Sequence, residues 1–274
     1  AEVARAIPPL AGTLAAAFWP GPLTLILPRQ PHVPEVVTAG GPSVAVRVPS
    51  HPVAQGLLRA AGRPIAAPSA NRFARPSPTT ARHVLDDLEG EVDLVLDAGP
   101  VPIGLESTIL DLTRTPPAVL RPGGLPVEAL RRLIPDLVVE ARFLPVDGAA
   151  AAAPGQFLKH YSPRARLELI DGARPAALAA LRAAVERALA RGLKVGVLVF
   201  TADEAAVAGL PVVVMAFGPE AEPETAGRRL FAALRELDAQ GVDVILARLP
   251  ARAGLGLAIW DRLYRAAEGR VTAV

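Results

Sequence analysis

The run Lys194-Val195-Gly196-Val197-Leu198-Val199-Phe200 limits the fold more than any other part of this chain. It is apolar without alternation, so it cannot lie on a half-solvated sheet. A strand of that kind needs cover on both faces, as in a parallel sheet with crossover helices. The flanks supply the cover. Pro175–Arg191 reads as a helix entered through proline and left through Gly192, and Pro223–Gln240 as a second, stopped by Gly241. Leu167–Ile170, Val212–Met215 and Val242–Ala247 read as further strands, and Leu257–Ala267 as a closing helix. Strand, helix, strand in this rhythm implies a small Rossmann-like parallel α/β domain with right-handed crossovers.

The first half is less regular. Leu10–Phe18 reads as helix, Leu23–Leu27 and Val44–Val48 as strands, Pro52–Ala61 as helix, and Ile65–Ala67 as a strand running into a Pro-Ser loop. Thr79–Leu88 follows as a threonine-capped helix. Leu94–Leu96, Thr108–Leu112 and Val119–Leu120 read as short strands, and Val127–Leu133 as helix. This is α+β around a twisted sheet, with no internal repeat. Between the halves, Asp147–Pro154 (DGAAAAAP) carries no two-faced pattern and is bounded by Gly148 and Pro154, which marks a linker. The expected organisation is a first domain over 1–146, a linker over 147–164 and a second domain over 165–274.

A chain of 274 residues, 51% hydrophobic and 20% charged, suits two soluble globular domains. The absence of cysteine excludes disulfides, thiolate metal sites and a cysteine nucleophile, and fits a reducing, cytoplasmic home. Of 29 basic residues all but Lys159 and Lys194 are arginine, on a net charge of only +2. That balance permits nucleic-acid contact without arguing for it. Residues Ala6 to Pro28 are uncharged, yet Pro8, Pro9, Pro20, Gly21 and Pro22 exclude a membrane helix there. No secretory signal is expected. The chain does not begin with Met, which suggests a fragment or trimmed form.

The chemistry-bearing candidates lie at loops and strand ends. Ala67-Pro68-Ser69-Ala70-Asn71 is a proline-stiffened loop that offers a hydroxyl and an amide between small residues, as a ligand loop would. An ordinary capped turn accounts for it too, and is the commoner outcome. Arg47 ends Ser43-Val44-Ala45-Val46-Arg47, where a planar fork could meet a carboxylate or phosphate; an exposed edge arginine fits equally. Arg121 sits beside the turn Pro122-Gly123-Gly124, and Gly104-Leu105-Glu106-Ser107-Thr108 puts two hydroxyls at a strand mouth. Turn chemistry explains either alone. Phe18-Trp19-Pro20-Gly21-Pro22-Leu23-Thr24 reads as a structural corner shaping a cleft wall. No P-loop, Gly-x-Ser-x-Gly elbow or complete dinucleotide fingerprint occurs, since Ile259 replaces the last glycine after Gly254 and Gly256. His32, His51, His83 and His160 lack zinc spacing. Arginines, hydroxyls and one amide remain, a set that clamps anions and suits nucleotide chemistry.

Taken in order, FWPGPLT, SVAVRVPSHP, PIAAPSANRFARPSPTTA, GLESTILDL, LRPGG and PGQFLKHYSP resemble the YrdC-type threonylcarbamoyl-AMP synthases. The ending GLGLAIWDRLYRAA resembles their longer, two-domain form. The resemblance implies a YrdC-like twisted open sheet with a concave cleft, followed by the small Rossmann-like domain. It implies the joining of L-threonine, bicarbonate and ATP with release of pyrophosphate, Mg2+ accompanying ATP. A downstream transferase complex would then modify adenosine 37 of tRNAs that read ANN codons. Carried over, Arg47, Ser69 and Ser107 would hold threonine. Ser43, Asn71, Thr79 and Arg121 would hold ATP, and Tyr161 beside His160 would let the linker close over the nucleotide.

That family's opening Thr-x-Thr-x-Tyr-Gly-Leu phrase has no counterpart among these residues. Some threonine and triphosphate contacts are therefore expected outside them, and a protein that began at Ala1 would be expected to be inactive, with an unfilled sheet edge. Two rival readings remain: the carbamoyl-adenylate-forming domain of hydrogenase maturation proteins, whose cysteine-rich zinc modules are missing, and a non-catalytic RNA-binding module. Against the second, no basic cluster with interleaved aromatics occurs.

Overall fold

The computed structural model describes residues 2–140, 158 and 160–274. The DGAAAAAP linker therefore lies outside the described residues. In chain order the elements are α1 (Pro9–Phe18), β1 (Leu23–Pro28), β2 (Ser43–Val46), α2 (Pro52–Ala61) and α3 (Ala81–Leu88). Next come β3 (Thr108–Asp111), β4 (Ala118–Arg121), α4 (Val127–Arg131), β5 (Val138–Val139) and β6 (Arg166–Asp171). The remainder is α5 (Arg174–Ala190), β7 (Val195–Val199), β8 (Val213–Ala216), α6 (Pro223–Ala239), β9 (Val244–Arg248), α7 (Leu255–Ala266) and β10 (Val271–Ala273). Two compact units result. One gathers Ala1–Pro68 and Glu106–Gln156; the other gathers Ser69–Leu105 and Phe157–Val274. Contacts thus group the stretch 69–105 with the C-terminal residues.

In the first unit the sheet runs β2-β1-β3-β4-β5. Strand β1 pairs antiparallel with β2 and parallel with β3, and β3 pairs antiparallel with β4. Thr108–Asp111 and Ala118–Arg121 are buried at every position, as central strands of an apolar sheet should be. Between them the register slips: Ile109 faces Arg121 while Leu110 faces Val119. Such a bulge redirects a side chain at a strand end, here Arg121. The corner before β1 is held by the Trp19 indole N–H, which donates to the Leu23 carbonyl at 2.7 Å, and by Gly21, whose N–H donates to the Val48 carbonyl at 2.9 Å. No side chain fits at Gly21, because a Cβ would sit 2.3 Å from the Phe18 carbonyl oxygen.

In the second unit the sheet runs β10-β6-β9-β7-β8, parallel throughout. The apolar run at 195–199 is β7, buried at all five positions. Val195, Val197 and Val199 face α5, whose Ala177, Leu181, Val185 and Ala188 form one stripe. Leu198 faces the other way, into the core shared with α6 and α7. A doubly wound layer results, as the sequence pattern demands. The strand ends close with ion pairs: Arg248 donates to Asp203 at 2.7 Å and to Glu220 at 2.5 Å. These occupy ground where open α/β sheets usually receive ligands. Among the described residues no helix is long and apolar enough to cross a membrane.

Two expected strands are not formed. Ile65–Ala67 and Leu94–Leu96 carry no strand pairing, and Ile65 is 43%, Leu94 76% and Leu96 54% exposed. Short apolar runs favour extended backbone, but a strand exists only through a ladder partner, and neither run has one here. In the other direction β5 and β10 were not expected; both are short edge strands of two and three residues.

Within the second unit α3 is fixed to α6 by a buried ion pair. Arg235 donates to Asp87 Oδ2 and to the Pro76 carbonyl, each at 2.5 Å, and both side chains are 8% exposed. Asp87→Asn leaves a buried guanidinium facing a neutral amide, so we expect a loss of about 1–3 kcal/mol. A lowered urea midpoint at unchanged slope would show it; an unmoved midpoint would mean that the pair adds nothing.

Candidate active site

Ser43, Arg47, Ser107 and Arg121 all belong to the first unit. Its centre is a buried polar chain. Arg121 leaves the end of β4 only 7% exposed, and its Nη2 donates to the Ser107 carbonyl at 2.9 Å and to Ser107 Oγ at 3.3 Å. Ser107 Oγ lies 2.7 Å from Thr24 Oγ1, which projects from β1. Serine and threonine are 6% and 7% exposed, so all three polar groups meet away from bulk water. The two turns that carry this chain interlock. Gly124 N–H donates to the Glu106 carbonyl at 2.8 Å, and a Cβ on Gly123 would stand 2.3 Å from that oxygen and 2.5 Å from Ser107 C. Glycine is required there by close backbone approach.

Arg47 follows β2 and is exposed by area. Its guanidinium is nevertheless pushed below arginine's usual range, first by the protein closing around it and then by the charge of Arg121. Arginine stays cationic at neutral pH all the same. Two positive groups thus act on one another, and no carboxylate is ion-paired to Arg47 among the described residues. An arriving anion would relieve that repulsion. Ser43, the first residue of β2, is half-buried opposite Pro28.

Ser69, Asn71, Thr79, His160 and Tyr161 belong to the second unit. Ser69 is exposed, and its carbonyl accepts from Asn71 N–H at 3.0 Å. Asn71 Nδ2 donates to the carbonyls of Arg72 at 2.8 Å and Arg75 at 3.2 Å, while its buried Oδ1 has no partner among the described residues. That oxygen is an acceptor ready for a donor such as an amine. Thr79 is buried and is not the helix cap; Thr80 is, accepting from His83 N–H. The Thr79 backbone N–H donates to His83 Nδ1 at 3.3 Å, and its hydroxyl lies 3.1 Å from the same nitrogen.

Burial, followed by the charge of Arg235, holds the His83 imidazole below the usual histidine range. A histidine kept neutral in the fold makes the unfolded chain the better proton binder between its lowered value and about 6.5, so stability rises with pH through that window. We expect the thermal midpoint to fall as pH drops below about 6.5 and His83→Asn to flatten that slope. Equal slopes in both proteins would contradict this.

Tyr161 is the least expected. It is 1% exposed, has φ of +62°, and lies in the unit's core against Phe231 at 5.3 Å between ring centroids. Arg262 stands over its ring at 5.2 Å, and His160 packs against it at 4.0 Å. Ser162 N–H donates to the Ala74 carbonyl at 2.6 Å. This ring is built into the core of its unit. Among the described residues no three His, Asp or Glu side chains gather as a cation site.

From sequence alone Phe18–Thr24 reads as a cleft wall, yet Thr24 belongs to the polar centre. A hydroxyl directly after the apolar corner, inside a buried strand, was the available signal.

The family described as "Telomere recombination" matches residues 1–123, and "Threonylcarbamoyl-AMP synthase, C-terminal domain" matches residues 125–268. The chain is 41% identical to a threonylcarbamoyl-AMP synthase of Pyrococcus abyssi, across 99% of the chain and 78% of that relative. It is 42% identical to one of Bacillus subtilis, across 96% and 75%. Its fold matches the crystal structure of P. abyssi Sua5 complexed with L-threonine at a TM-score of 0.92 and 40% identity, covering all of this chain and 78% of that one. Matched by both family descriptions and by these relatives along nearly its whole length, the chain belongs to the threonylcarbamoyl-AMP synthase family.

Proposed function

We infer that this protein makes L-threonylcarbamoyl-AMP from L-threonine, bicarbonate and ATP, releasing pyrophosphate, in support of threonylcarbamoyladenosine formation at position 37 of tRNA. The observation that carries the reading is the buried Thr24–Ser107–Arg121 chain beside the cationic Arg47, a centre suited to anions.

The chemistry asks for that. Threonine's amine forms an N–C bond to the carbon of bicarbonate and water leaves. A carbamate oxygen then bonds to the α-phosphorus while the bond to the β-phosphate breaks and pyrophosphate departs. Every group involved is anionic and the carbamate is labile, so the protein's work is positioning, charge compensation and exclusion of water. Arg47, with Ser107, is assigned to the threonine carboxylate, and Ser69 to the same substrate. Arg121, Ser43, Asn71 and Thr79 are assigned to ATP, Asn71 through its unpartnered Oδ1. Tyr161 suits the anchored end of a linker that closes over the nucleotide, with His160 beside it, because its ring is committed to the core. Mg2+ would arrive on the phosphates of ATP and neutralise part of their charge, since the described residues offer it no cage. The downstream partner would be a tRNA threonylcarbamoyl transferase complex, in the cytoplasm.

Pyrophosphate release by the full-length protein should require L-threonine. RNA retained on the protein without threonine-dependent turnover would favour a binding module instead.

A further inference from the structure

We propose that Thr24 is a positioning residue that turns the Ser107 hydroxyl into a committed proton donor toward the substrate carboxylate. The inference rests on the threonine-site assignment of Ser107 made above.

A serine oxygen has two lone pairs and one proton. Arg121 Nη2 donates into one lone pair of Ser107 Oγ at 3.3 Å. Thr24 Oγ1 lies 2.7 Å away with no other side-chain partner among the described residues. With Thr24 donating, both lone pairs of Ser107 are filled and its proton is the single valence left over. The hydroxyl is then unable to accept and is aimed outward as a donor, the form a carboxylate selects. With the bond reversed, the Ser107 proton would be spent on Thr24, and an anion would meet lone pairs. A carboxylate therefore favours the first arrangement, and burial of both hydroxyls keeps water from competing for it.

The position of Thr24 is fixed by two independent constraints. Strand β1 pairs with β3 so that Leu23 stands beside Thr108 and Thr24 beside Ile109, which brings Thr24 level with the residues just after Ser107. The Trp19-Pro20-Gly21 corner, tied to the Leu23 carbonyl and to Val48, sets where β1 begins. The corner motif thus serves the site through its last residue.

Thr24→Val keeps shape and removes the donor; Thr24→Ser keeps the donor and removes a methyl. In the full-length protein, calorimetric titration with L-threonine should give a Kd raised about tenfold for the valine variant, the effect of one lost hydrogen bond to a charged group. The serine variant should stay within about twofold of wild type, and the KM for ATP should follow neither change. Unchanged threonine affinity in a folded Thr24→Val would overturn the proposal. So would a serine variant as weak as the valine one, which would assign the effect to methyl packing. Wild-type protein that binds threonine without releasing pyrophosphate would refute the enzymatic reading while leaving the Thr24 comparison decisive. Wild-type protein that binds no threonine would sink both.

Discussion

Arg121→Ala is expected to lower kcat/KM for pyrophosphate release by about two to three orders of magnitude, the range found when one preorganised donor is taken from a developing anion. Two losses combine. The guanidinium assigned above to ATP disappears, and the Ser107 carbonyl loses both donors that now hold it, Nε at 3.3 Å and Nη2 at 2.9 Å. Arg121 is buried at the end of β4, where the register shifts. Arg121→Lys keeps the charge without the fork and should recover only part of the rate. Activity of Arg121→Ala within about threefold of wild type would reduce this residue to a structural clamp.

Gly123→Ala should act on the fold as strongly as Arg121→Ala acts on the rate. The added methyl would meet the Glu106 carbonyl oxygen at 2.3 Å and Thr108 N at 2.5 Å, all backbone atoms that no rotamer can move. We expect a loss above about 4 kcal/mol, in the class of severe overpacking, or failure to accumulate folded protein. Any folded fraction should be inactive, because the turn that would have to yield carries Ser107. A variant with a wild-type thermal midpoint would contradict the close approach.

The parts of this fold that were legible in the sequence are those whose signal is local. The both-face apolar run became β7, the proline-entered and glycine-ended runs became α5 and α6, and Pro52–Ala61 formed a helix with those limits. Ile65–Ala67 and Leu94–Leu96 show the limit of such reasoning: their residues favour strand, but pairing is non-local and decided against them. The candidate site divides in the same way. Ser107 and Arg121 were each visible as residues in a turn, and each turn alone was unremarkable. Their joining depends on the absence of a side chain at Gly123 and on contact between positions 14 apart. Thr24 reaches Ser107 across 83 positions, a distance no local pattern spans. Tyr161 stood out as a polar aromatic beside the linker, yet its burial against Phe231 and Arg262 follows from the packing of α6 and α7, which local spacing does not reveal.

The most direct test of the account is to identify the product. The full-length protein, given L-threonine, isotopically labelled bicarbonate and ATP, should yield a labelled adenylate whose mass equals threonine plus a carbonyl plus AMP. Its appearance should match pyrophosphate release and cease when threonine is withheld. Pyrophosphate formed at the same rate without threonine, or a labelled carbamoyl adenylate lacking the amino acid, would contradict the account.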